Sequence, residues 1–137
     1  MGRILAIDYG RKRTGIAVSD PLRIIAGGLE TVSTATLFDF LNDYMSKETV
    51  DVIVVGKPVQ MNGEDSENMT RVTPFVNRLR KLFPNKQIVM HDERFTSVLA
   101  HKTMLESGIG KKARQEKALV DKISATIILQ SYMESIN

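Results

Sequence analysis

The chain has 137 residues, a formal net charge of +3, two histidines and no cysteine. That length suits one domain, residues 1–137, and the missing cysteines exclude disulfides and thiolate zinc sites while fitting a reducing cytoplasm. Two histidines argue against a histidine-rich metal site. No apolar run approaches the roughly 20 residues that span a bilayer, and Asp8 breaks the first apolar stretch too early for a signal peptide.

Residues 4–8 (Ile-Leu-Ala-Ile-Asp) read as a buried strand. A polar, glycine-bearing turn over 9–14 leads to a second strand at 15–19, and the two make a hairpin. Asp20-Pro21 signals another turn before a weaker strand around 25–31. Leu37, Phe40, Leu41, Tyr44 and Met45 recur at helical spacing, with Thr34 or Thr36 as the cap. The run 50–55 (Val-Asp-Val-Ile-Val-Val) is too apolar for a half-exposed strand, so it is expected to be covered on both faces. A breaker-rich loop over 56–65 is long enough to carry function. Next come a helix over 66–83, kinked or restarted at Pro74, and a fifth strand over 86–90. A helix over 96–107 ends at Gly108. A basic loop follows over 109–117, then a last helix over 118–135 with Ile123, Ile127 and Ile128 turned to the core. The order β-β-β-α-β-α-β-α-α implies an α/β fold. Three strands form a meander, and two more add in parallel through right-handed crossovers. The result is one five-stranded mixed sheet with helices on both faces.

Three acids carry the chemistry of this pattern. Asp8 closes the first apolar run, Glu93 follows the fifth strand, and Asp121 leads the last helix. Read singly, each is an ordinary surface acid. Gathered at strand ends they would repel one another unless a cation neutralised them, and hard oxygen donors suit Mg²⁺ or Mn²⁺. Arg11-Lys12-Arg13 follows Asp8, and Lys111, Lys112, Arg114, Lys117 and Lys122 flank Asp121. Basic clusters beside two of the acids are the arrangement expected for a polyanionic substrate over a cation site. A solvated loop and an ordinary helix face would give the same charges.

Asp8-Tyr9-Gly10-Arg11-Lys12-Arg13-Thr14-Gly15 through Asp20 strongly resembles the opening of the YqgF family of Holliday junction resolvase-like proteins, also described as pre-16S rRNA nucleases. So do Gly56-Lys57-Pro58 with Gly63, Asp92-Glu93-Arg94-Phe95-Thr96-Ser97, and Asp121-Lys122-Ile123-Ser124-Ala125. Four motifs in order span nearly the whole chain. The resemblance implies a ribonuclease H-like fold and makes Asp8, Glu93 and Asp121 the catalytic, metal-binding acids. It also implies a hydrolase acting on phosphodiester bonds of structured nucleic acid, in processing of pre-16S rRNA during ribosome biogenesis. Two residues depart from the family pattern: Lys57 stands where an apolar residue is usual, and Ser124 where alanine is. The resolvases place a fourth carboxylate three residues after the helix acid. Ser124 holds that position here, which implies a weaker second metal site.

On this reading Gly10 lets backbone approach phosphate, and Arg11, Lys12, Arg13, Lys111 and Lys112 contact flanking phosphates without reading sequence. Lys57 puts a cation beside the site, and Arg71 is expected to reach substrate or to lie on a solvated helix face. His91 is expected to be a packed or hydrogen-bonded histidine, and Ser19-Asp20-Pro21 a capped turn. Three rivals remain open: a resolvase of branched DNA, a non-catalytic nucleic-acid-binding factor in transcription or ribosome maturation, and an actin-like or sugar-kinase-like ATPase. The last needs two domains where this length supplies one. A homodimer also stays open.

Overall fold

Five strands form one sheet in the computed structural model, which describes residues 2–57, 69–92 and 117–136. They are β1 (Arg3–Tyr9), β2 (Arg13–Ser19), β3 (Ala26–Ser33), β4 (Val50–Lys57) and β5 (Gln87–Asp92), in the spatial order β3-β2-β1-β4-β5. β1 pairs antiparallel with β2, and β2 with β3. β4 lies parallel to β1, and β5 parallel to β4. The mixed sheet expected from the sequence is therefore observed. The predicted helix over 96–107 lies outside the described residues.

Successive residues of a strand face opposite ways, and the sequence exploits this on both sides. Leu5, Ile7, Ile16, Ile53 and Val55 pack against α1 (Leu37–Lys47) and α2 (Met69–Leu82). Ile4, Ala6, Ala17, Val52 and Val54 pack against the last helix, α3 (Lys117–Ser135). β4 buries residues of both sets, as the apolar run Val52–Val55 after the exposed Asp51 requires. Each fully buried Ile or Leu contributes roughly 1.5–3 kcal/mol.

Three local expectations need correction. Of the kink or restart expected at Pro74, the restart does not occur, since α2 is one helix through that residue. Pro74 is exposed, while Val72, Phe75, Val76 and Leu79 bury one face of that helix; their burial outweighs a proline penalty of about 3 kcal/mol. Thr36 occupies the N-cap of α1, but its hydroxyl donates to the Ser33 carbonyl at 3.1 Å and caps nothing. In α3 the core face is Ala125, Ile128, Leu129 and Tyr132, while Ile123 and Ile127 are only half-buried. Apolar residues fall on every side of that helix, interspersed with polar ones, so spacing alone could not choose its inner face.

The turn after β2 is structural, as expected. The Ser19 hydroxyl accepts from the Ile4 amide and donates to the Asp20 carbonyl, both at 2.9 Å. The Asp20 carboxylate accepts from the amides of Ile25, Ile24 and Leu22, and these bonds, led by Ile25, hold its pKa below the ordinary 3.8. No described helix is long and apolar enough to cross a membrane.

Candidate active site

The three parallel strands β1, β4 and β5 all end at one edge of the sheet. Ile7 pairs with Val55 and Val55 with Met90; one step further, Gly56 pairs with His91. Asp8 stands at that next step on β1, directly opposite Gly15 of β2. Alternation after Ile4 and Ala6 puts its side chain on the face covered by α3. The first acid thus sits where rigid backbone meets the last helix.

Gly15 determines how close that helix comes. A β-carbon there would collide with the backbone carbonyl oxygen of Asp121. Strand partners lie only about 4.5–5.5 Å apart, so the backbone of Asp121 is brought beside Asp8 across the glycine. Asp121 also heads the buried stripe of α3, four residues before Ala125 and seven before Ile128. It lies beyond the first turn of the helix as described. The helix dipole, which acts on terminal turns, therefore gives no account of this acid. Its partner is Arg13, whose Nε donates to Asp121 Oδ2 at 3.0 Å.

The hairpin tip beside these acids is tied down. The Thr34 hydroxyl donates to the Gly10 carbonyl at 2.7 Å and lies 2.9 Å from the Thr14 hydroxyl, while the Thr34 amide donates to the Lys12 carbonyl at 3.0 Å. A β-carbon on Gly10 would collide with the Arg13 carbonyl, so closure of the hairpin alone demands glycine there. Arg11 and Lys12 are exposed at this tip. With Gly10, Arg13 and Asp121 they line an open cleft of about 350 Å³.

Other expected site residues are distributed differently. Lys57 ends β4 opposite Asp92 and alternates onto the α1–α2 face. Arg71 is exposed near the start of α2, on that same face. His91 falls on the α3 face, its Nε2 2.9 Å from the Ser131 hydroxyl and its ring edge-on to Tyr132. Burial lowers its pKa from the ordinary 6.5, against a smaller opposing effect of Asp92. It is a packed, hydrogen-bonded histidine. Glu93, Lys111 and Lys112 lie outside the described residues.

Among the described residues no three acids or histidines gather closely enough to hold a metal. Asp8 and Asp121, on neighbouring backbone, fit a hard divalent cation in their chemistry: two carboxylates from distant parts of the chain, with a guanidinium already compensating one of them. Sequence reasoning missed the roles of Gly15, which admits the Asp121 backbone, and of Thr34, which ties the hairpin tip. A glycine opposite an acid in a tight hairpin was the available signal for the first. For Thr34, two segments later, there was none.

Comparison with known proteins places the chain in a family. The profile of the RuvX family, described as Holliday junction resolvase, matches residues 2–135. A protein of Phocaeicola vulgatus named "Putative pre-16S rRNA nuclease" is 63% identical over 135 residues, covering 98% of this chain and 97% of its own. One of the same name from Bacteroides thetaiotaomicron is also 63% identical, covering 98% of each chain. Among solved structures, the fowlpox virus Holliday junction resolvase superposes with a TM-score of 0.60 at 13% identity, over 98% of this chain and 99% of that one. At that identity the likeness establishes the ribonuclease H-like fold alone. On the family match and the close relatives, the chain belongs to the RuvX family.

Proposed function

We propose that this chain is a metal-dependent nuclease that hydrolyses phosphodiester bonds of structured nucleic acid, acting in the cytoplasm on the precursor of 16S rRNA. The observation that carries the proposal is the close approach of the Asp121 backbone to Gly15, the strand partner of Asp8, with Asp121 lining a cleft beside the basic tip 11–13. A pure binding surface gains nothing from carboxylates turned toward phosphate. Such carboxylates are useful where a cation must be held. Asp8 and Asp121 would hold Mg²⁺ or Mn²⁺ together with Glu93, which follows β5 in sequence. A bound ion of this kind neutralises phosphate charge and lowers the pKa of a water ligand.

The chain's own residues do the rest. Asp8, fixed by its strand, orients the cluster. Arg11 and Lys12 hold flanking phosphates, which makes grip salt-dependent and indifferent to sequence. Lys111 and Lys112 would add to that grip. Lys57 and Arg71, on the other face, would meet only a substrate that wraps over the sheet edge.

The test is cleavage by purified protein of an RNA carrying the ends of precursor 16S rRNA, with Mg²⁺ or Mn²⁺ and then with chelator. Metal-dependent trimming supports the reading; no cleavage in either metal contradicts it. A second reading, resolution of branched DNA, is favoured by the description of the family profile and by a solved complex of the fowlpox resolvase with substrate Holliday junction DNA. A four-way junction run in parallel separates the two. Because it presents two equivalent strands, that substrate also calls for a homodimer, which light scattering would detect.

A further inference from the structure

We infer that Arg13 is the protein's own stand-in for the divalent cation. It neutralises Asp121 while no ion is bound, competes with the incoming ion for that carboxylate, and is left beside the substrate phosphates once displaced. The inference rests on the nuclease reading and deepens it, by assigning Arg13 a role different from that of Arg11 and Lys12.

Four observations support it. Arg13 and Asp121 are 108 positions apart, yet their side chains meet at 3.0 Å. That side chain lies on the same sheet face as Asp8, because Arg13, Gly15 and Ala17 alternate together toward α3. The contact uses Nε alone, so the two terminal nitrogens of the guanidinium are not committed to this carboxylate. Finally, the side chains keep 39% and 24% of their exposure. A pair this open to solvent is weak enough to exchange. The backbone need not move, because Thr34 and Thr14 fix the tip on both sides of Arg13. Exchange is then a side-chain rotation. Arginine suits the role because it stays charged at any working pH, so it cannot leave Asp121 uncompensated by losing a proton.

The consequence is unusual in direction. Removing a residue that merely supports the site should loosen ion binding, whereas removing a competitor should tighten it. The experiment is titration of Mn²⁺ into wild type, Arg13→Gln, Arg11→Gln and Asp8→Asn, reading bound ion by calorimetry without substrate. Arg13→Gln should bind Mn²⁺ about fivefold more tightly, near the upper end of what a partly exposed pair supplies. Arg11→Gln removes the same charge from the tip and should change affinity by less than about twofold. Should Arg13→Gln unfold, Arg13→Met keeps the aliphatic stem and carries the same expectation. Equal tightening by both glutamine variants would reduce the effect to net charge and overturn the role of Arg13. Unchanged or weaker binding in Arg13→Gln, with wild-type binding still dependent on Asp8, overturns it too. If wild type binds no Mn²⁺ at all, or Asp8→Asn binds as well as wild type, the nuclease metal site itself fails.

Discussion

The backbone carbonyl of Asp121 occupies the space that a β-carbon on Gly15 would need. Since Gly15 is also the strand partner of Asp8, one missing methyl group lets the backbone of Asp121 come up beside the strand that carries Asp8. Gly15→Ala should cost about 1–3 kcal/mol through overpacking and push α3 off the sheet. Activity measured well below the melting transition should fall further than the unfolded fraction explains. Full activity with an unchanged melting temperature would mean that the close approach has no bearing on the site.

Asp121→Asn separates a ligand from a structural anchor. Among the described residues the stability at stake is a partly exposed ion pair with Arg13, worth roughly 0.2–1 kcal/mol. Melting should therefore move little, while cation-dependent cleavage and Mn²⁺ affinity fall together. A clear drop in melting temperature with activity intact would assign Asp121 to the fold alone.

The basic tip divides into two kinds of residue. Arg11 and Lys12 are exposed, whereas Arg13 is engaged by Asp121. Replacing Arg11 and Lys12 together by alanine should weaken binding of unrelated sequences by a similar factor. The slope of log affinity against log salt should flatten by about 1.4–1.8, the equivalent of two phosphates. An unchanged slope would place the tip away from substrate.

His91 makes stability depend on pH. Its folded pKa lies below the ordinary 6.5, because burial disfavours the charged ring. The unfolded chain then binds more protons in that window, so stability falls as pH drops from about 6.5 toward the folded value and is retained above it. Replacement by glutamine should remove this fall. Denaturant melts of both proteins between pH 7.5 and about 5 check it; parallel curves would contradict the assignment.

Much of this architecture was legible in the sequence, for identifiable reasons. Residues 50–55 could only be a strand covered on both faces, and Asp8 ends a run whose alternation fixes its face. The inner face of α3 was not legible, because its apolar and polar residues are spread round the helix with no polar side to orient it; Ala125 and Leu129 took core positions where Ile123 and Ile127 were expected. The continuity of α2 through Pro74 was likewise decided by tertiary burial against a local penalty. The Arg13–Asp121 pair was hidden for a different reason. It joins two residues 108 positions apart, each of which reads separately as something else: a phosphate contact and an acid leading the last helix.

The central claim is that Asp8 anchors a cation site at the sheet edge, and one substitution tests it most directly. Asp8→Asn keeps the volume and removes the charge. Single-turnover cleavage of structured RNA in Mg²⁺ should fall at least about a hundredfold. The melting temperature should be unchanged or higher, because repulsion between Asp8 and Asp121 is relieved. A folded Asp8→Asn protein that cleaves at the wild-type rate would contradict the account.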